Sequence, residues 1–138
     1  MDITSDSLGY AIKSAQVRIY EKLFQVLGPN AISPARLTAL NIVSLKPGIN
    51  QTELAQQLRI TRASVVKVVD SLESLGFVQR QAIADDRRSY ALVATDLGKN
   101  ELTRMRKLLQ VYELAIASQL TAAERTKLMA LLAKVAVV

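Results

Sequence analysis

The sequence predicts a mainly α fold carrying one small β-hairpin. Long stretches have apolar residues at helical spacing and few turn-formers between them. A single segment, residues 77–93, is rich in β-formers on either side of a polar tip. Half of the 138 residues are apolar but only 4% are aromatic and Trp is absent, so the core must be aliphatic.

The elements follow in order. From about Ser7 to Leu27 the positions Leu8, Ile12, Ala15, Ile19, Leu23 and Leu27 make one apolar stripe, widened by Tyr20 and Phe24. Gly28-Pro29-Asn30 stops that helix. Ser33-Pro34 reads as an N-cap followed by proline at the first helical position, where its missing N–H costs nothing. Leu37, Leu40 and Val43 form the face of this second helix, which Lys46-Pro47-Gly48 ends. Asn50, with Glu53 three residues on, starts a short helix bearing Leu54, Ala55 and Leu58. After Arg59-Ile60, Thr61 caps another helix that runs to Leu75 and stops at Gly76. Two short helices across so tight a turn form a helix-turn-helix unit.

Residues 77–80 and 89–93 then read as the strands of a hairpin around Asp85-Asp86-Arg87-Arg88. Thr95 caps a long helix with Leu97, Leu102, Met105, Leu109, Tyr112 and Ile116 on its stripe. Thr121 and Glu124 form a capping box for the last helix, whose apolar side holds Leu128, Leu131, Leu132 and Val135.

Composition narrows the function classes. The net charge of +6 suits a polyanionic partner. The absence of cysteine excludes disulfides and thiolate chemistry, and the absence of histidine removes the commonest general base and metal ligand. No catalytic or metal-ligating set is expected, and no cofactor. No apolar run is long enough to span a bilayer, and the acidic, polar start is unlike a signal peptide. The expected location is the cytoplasm, with no membrane partner.

Two constellations point to double-stranded DNA. On the helix from Thr61, Val65, Val68, Val69, Leu72 and Leu75 cluster on a core side. Ala63, Val66, Lys67, Asp70 and Ser74 fall opposite, with Arg62 and Ser64 flanking. Small residues allow close approach to base edges. Val66 suits a thymine methyl, and Arg62 and Lys67 suit phosphates or guanine edges. The competing reading of this face is an ordinary solvated helix surface. At the hairpin tip, Arg87 and Arg88 suit a narrow minor groove, and Asp86 can orient an arginine; the competing reading is a solvated turn whose charge pairs contribute little. The terminal helices are more apolar than one helix-turn-helix core needs, so they suit burial against a second copy of the chain. A symmetric dimer presents its reading helices about 34–36 Å apart, matching a palindromic operator.

In this order and spacing, the chain resembles the MarR family of bacterial transcription regulators along nearly its whole length. The strongest parts are Gln51-Thr52-Glu53-Leu54-Ala55, the run from Thr61 to Glu73, Leu75-Gly76-Phe77-Val78, Asp85-Asp86-Arg87-Arg88-Ser89 and the pair Thr95 and Gly98. The resemblance implies a single domain over residues 1–138. A winged helix-turn-helix lobe would span about 33–98, and dimerisation helices about 5–28 and 96–137. It implies a homodimeric, sequence-specific regulator of the repressor type, with Thr61, Arg62, Ala63, Ser64, Val66 and Lys67 on the recognition helix and Asp86, Arg87 and Arg88 on the wing. Many members respond to small aromatic or amphipathic effectors, for which Tyr10, Tyr20, Phe24 and Tyr112 are the aromatic candidates; core or dimer packing is the other reading of each. Ala94 stands where the family usually has Leu, a packing change. The missing Cys excludes the family's thiol-based sensing branch. A winged-helix module that docks proteins without reading DNA is the alternative function.

Overall fold

A computed structural model describes residues 1–28, 32–84 and 86–138, the side chains of residues 87 and 88 excepted. Its elements are α1 (Ile3–Asp6), α2 (Leu8–Leu27), α3 (Pro34–Leu45), α4 (Gln51–Leu58), α5 (Arg62–Ser74), β1 (Val78–Ile83), β2 (Asp86–Ala94), α6 (Asp96–Ile116) and α7 (Ala122–Leu132). The expected mainly α fold with one hairpin is the fold observed. The short α1, capped by Asp2, has no counterpart in the periodicity because it carries no apolar stripe. Among the described residues, no helix is long and apolar enough to cross a membrane.

The caps read from the sequence are in place. Ser33, Asn50, Thr61, Thr95 and Thr121 each accept a backbone N–H from the first turn of the helix they open, and Ser7, not read as a cap, does the same for α2. Asn50 does so from Glu53 at 2.8 Å and returns a side-chain bond to the Glu53 carboxylate. Thr121 and Glu124 form a full capping box. At the end of α5, Gly76 has φ +80, its N–H reaches the Glu73 carbonyl, and the Phe77 N–H reaches Leu72. This left-handed closure suits glycine, which lacks the Cβ that penalises it.

The chain divides into two compact units: Asn30–Arg106, and Met1–Pro29 together with Lys107–Val138. The first unit is built around α3, α4, α5, the hairpin and the start of α6. Leu40, Val43, Leu54, Val65, Val69, Leu72, Val78, Leu92, Leu102 and Met105 are fully buried there. Each such side chain contributes about 1.5–3 kcal/mol of transfer free energy. The hairpin pairs Val78 with Ala94 and continues antiparallel to Ala82 with Tyr90, then shifts register to Ile83 with Asp86. Its strands are therefore longer than expected: β1 continues to Ile83, and residues 86–88, read as part of a polar tip, belong to β2. Asp86 pairs there with Ile83, and the end of β1 is exposed, so no alternation of buried and exposed positions marks this part of the hairpin in the sequence. Ile49 adds an isolated bridge to Leu92, and Gly48, at φ +92, donates to the Leu92 carbonyl.

The second unit contains α2, the end of α6 and α7. Among its described residues only Leu23, Leu27 and Tyr112 are buried, and α7 buries none. Several residues placed on apolar stripes are exposed, among them Leu8, Tyr20 and Phe24 of α2 and Leu128, Leu131 and Leu132 of α7. Leu75 and Leu97, placed on apolar faces, are exposed, because the Gly76 turn ends α5 there and Leu97 lies beside that glycine. Val135 lies beyond the end of α7, so it does not continue that helix's stripe.

Candidate nucleic-acid interface

α5 owes its placement to Val65, Val69 and Leu72, which are wholly buried one and two turns apart. Anchoring that side leaves Thr61, Arg62, Ala63, Ser64 and Lys67 exposed, while Val66 is partly covered. The Thr61 hydroxyl accepts from the Ser64 N–H at 3.1 Å and donates to the Ser64 hydroxyl at 2.9 Å. The first turn is thus ordered by short side chains, with Arg62 its one long residue. Arg62 and Lys67 form no ion pair among the described residues, which leaves their charge for an external anion.

Asp70 belongs elsewhere. The helical projection puts it on the outer side with Lys67, but its carboxylate accepts from Arg80 on β1 at 2.6 Å. Glu73 meets the same arginine at 3.2 Å. Arg80 had no place in the sequence reading, because its partners are contributed by α4 and α5.

The α4 N-terminus brings residues that sequence reasoning had not assigned to the site up to Arg62, which it had. Asn50, Gln51 and Thr52, Arg62 of α5, and Ser89 and Tyr90 of β2 line a polar notch of about 20 Å³. Backbone N–H groups at a helix start favour anions, and Arg62 adds a full charge. The Asn50 capping signal could have pointed to this end of α4. On the wing, Asp86 opens β2 opposite Ile83. Asp85 and the side chains of Arg87 and Arg88 lie outside the described residues.

The aromatic effector candidates differ in exposure. Tyr10, Tyr20 and Phe24 are exposed on α2, whereas Tyr112 is buried on α6. Burial first, then the negative charges of Glu113 and Tyr20, push the Tyr112 hydroxyl above its ordinary pKa. None of the four lines the apolar groove described in this unit. That groove, of about 780 Å³, is lined by apolar residues including Ile19, Ile116, Leu128 and Met129 and by the cations Arg18, Lys22 and Arg125. Arg125 also pairs with Glu113 at 3.3 Å.

A helix pair with a small, cationic outer face, followed directly by a two-stranded wing, defines a winged helix-turn-helix DNA-binding regulator. The MarR family model matches residues 32–90. The transcriptional repressor CouR, solved bound to a 23-mer DNA duplex, is 36% identical, with 99% of this chain and 97% of that chain covered and a TM-score of 0.92. CouR solved bound to p-coumaroyl-CoA gives 34% identity, coverage of 99% and 96%, and a TM-score of 0.89. A candidate transcriptional regulatory protein for the hcr operon of Thauera aromatica is 29% identical over 126 residues, covering 91% of this chain and 76% of the relative. The chain belongs to the MarR family of transcription regulators.

Proposed function

We propose that this regulator is a cytoplasmic homodimeric repressor that binds a palindromic operator and is released by an anionic aromatic effector. The observation that carries the DNA-reading role is α5, held by a buried face and presenting Arg62, Ala63, Ser64 and Lys67 outward beside the wing. In this reading Ser64 and Val66 meet base edges, Thr61, Arg62 and Lys67 grip phosphates or guanines, and Asp86, Arg87 and Arg88 engage the adjacent minor groove. Residues 33–98 are the reading lobe, and the helices at about 5–28 and 96–137 join two copies. The exposed apolar residues of α7 and α2 support that role, since monomers rarely leave so much apolar surface open.

Effector release rests on a second observation. The groove of the helical unit combines an apolar lining with Arg18, Lys22 and Arg125. Such a lining suits a ligand with an aromatic acyl portion and phosphate charges. A relative 34% identical binds p-coumaroyl-CoA, a molecule of that composition. Tyr20 and Tyr112 then act as packing residues at the edge of this unit.

The test is a gel shift with fragmented DNA from the source genome, at low and moderate salt. Retention of a discrete subset is expected, with release on adding an aryl-acyl-CoA thioester but not the free aromatic acid. No retardation at any salt would favour the protein-docking alternative.

A further inference from the structure

Arg80 lies on β1 at the base of the wing, opposite Leu92. Its guanidinium serves three partners on two helices. Nε donates to Gln51 Oε1 at 2.9 Å, Nη1 to Glu73 Oε1 at 3.2 Å and Nη2 to Asp70 Oδ1 at 2.6 Å. The Arg80 backbone N–H also points at Glu73 Oε2, 3.4 Å away. Gln51 opens α4, whereas Asp70 and Glu73 lie about one turn apart on α5. One planar group with donors in a fixed fork therefore fastens three separate elements.

Two simpler roles fit less well. A phosphate-gripping arginine needs exposed, unengaged donors, but the Arg80 side chain is only 16% exposed and three of its nitrogens are engaged. An incidental surface pair would be exposed on both sides and bind one partner. We infer that Arg80 is a positioning residue: it sets the placement of the reading helix against the wing, with Asp70 and Glu73 as its anchors on α5. This inference rests on the proposed DNA-reading role of those two elements.

It predicts an effect whose sign opposes simple electrostatics. Two carboxylates on a DNA-reading helix repel phosphates, so charge alone says their removal tightens binding. If they anchor Arg80, their removal weakens recognition. The test uses the full chain and a duplex that the wild-type protein selects from a random-sequence library. Affinity for that duplex, affinity for a scrambled duplex of equal length, and the salt dependence of both are measured. Asp70→Ala combined with Glu73→Ala keeps good helix formers at exposed positions, so the fold is retained. The double variant is expected to bind the selected duplex about tenfold more weakly, without losing affinity for the scrambled one. Arg80→Lys keeps the charge but not the fork, and should lose discrimination with an unchanged salt slope. A double variant that binds the selected duplex as tightly as wild type, or more tightly, overturns the inference. So does a salt slope reduced by about one in Arg80→Met, which would make Arg80 a phosphate contact. If the wild-type chain selects no duplex, the DNA-reading role falls and this inference with it. If it selects one and the double variant keeps it, only the inference falls.

Discussion

A Cβ on Gly98 would lie 2.1 Å from the Phe77 carbonyl oxygen. The same carbonyl accepts from the Thr95 N–H at 3.0 Å, and the Thr95 hydroxyl both donates to the Gly76 carbonyl and accepts from the Gly98 N–H. The start of α6 is therefore pressed against the turn that ends α5, and backbone cannot retreat as a flexible side chain would. Gly98→Ala is expected to destabilise by about 3 kcal/mol in urea unfolding, at the upper end of overpacking costs. Arg59 provides the opposite case. It ends α4 in the left-handed region at φ 55, where a Cβ is penalised, so Arg59→Gly should raise the unfolding free energy slightly, by about 0.5–1 kcal/mol. Residue by residue, the sequence revealed what depends on near neighbours. Thr61, Thr95 and Thr121 announced themselves because a cap acts within three positions. Asp70 did not, because Arg80, ten residues away on another element, decides where its carboxylate belongs.

At the scale of the element, the proposed function divides the work of recognition between α5 and the hairpin. Arg88→Ala should weaken binding to all duplexes and lower the salt slope by about one, whereas changes at Ser64 or Val66 should alter which sequence is preferred. Competition binding at several salt concentrations distinguishes the two patterns; an unchanged operator affinity for Arg88→Ala would remove the wing from the interface. α7 makes a different prediction. Hydrogen bonds from the Thr121 N–H and hydroxyl-capped turn hold the Glu124 carboxyl below its usual value of 4.5. A depressed folded-state pKa means the cap stabilises α7 above the unfolded value and is lost as pH falls through the folded one. Helical ellipticity should drop as acidification proceeds below the usual value of 4.5 in wild type, and Thr121→Ala should flatten that step. Helices were legible in the sequence because caps and stripes mark both their ends and their faces. The hairpin was legible as a hairpin but not in its length. The outer residues of β1 are exposed, so no alternation of buried and exposed positions marks where the strand ends.

Across the whole molecule, burial is unevenly shared. The unit holding α3, α4, α5 and the hairpin has an aliphatic core of its own, while the helical unit leaves Phe24, Leu114, Leu128, Met129, Leu131 and Leu132 exposed. The apolar stripes of α2, α6 and α7 were visible in the sequence. Whether a stripe faces its own chain or another copy was not, since both burials select the same side chains. If a second copy covers them, thermal stability must rise with protein concentration. Leu128→Glu should shift the chain to a monomer in sedimentation, reduce operator affinity at least tenfold, and leave the circular dichroism of the reading unit largely intact. A dimer that survives Leu128→Glu unaltered would place the interface elsewhere.

That uneven burial has a genetic consequence. Alleles that damage the exposed face of α5 leave the helical unit whole, so their products still pair with normal subunits and should act dominantly. Alleles that put charge on α7 remove the subunit from the pairing pool and should be recessive. In a strain carrying one normal and one mutant copy, the pattern of inheritance alone would map which part of the chain each mutation strikes.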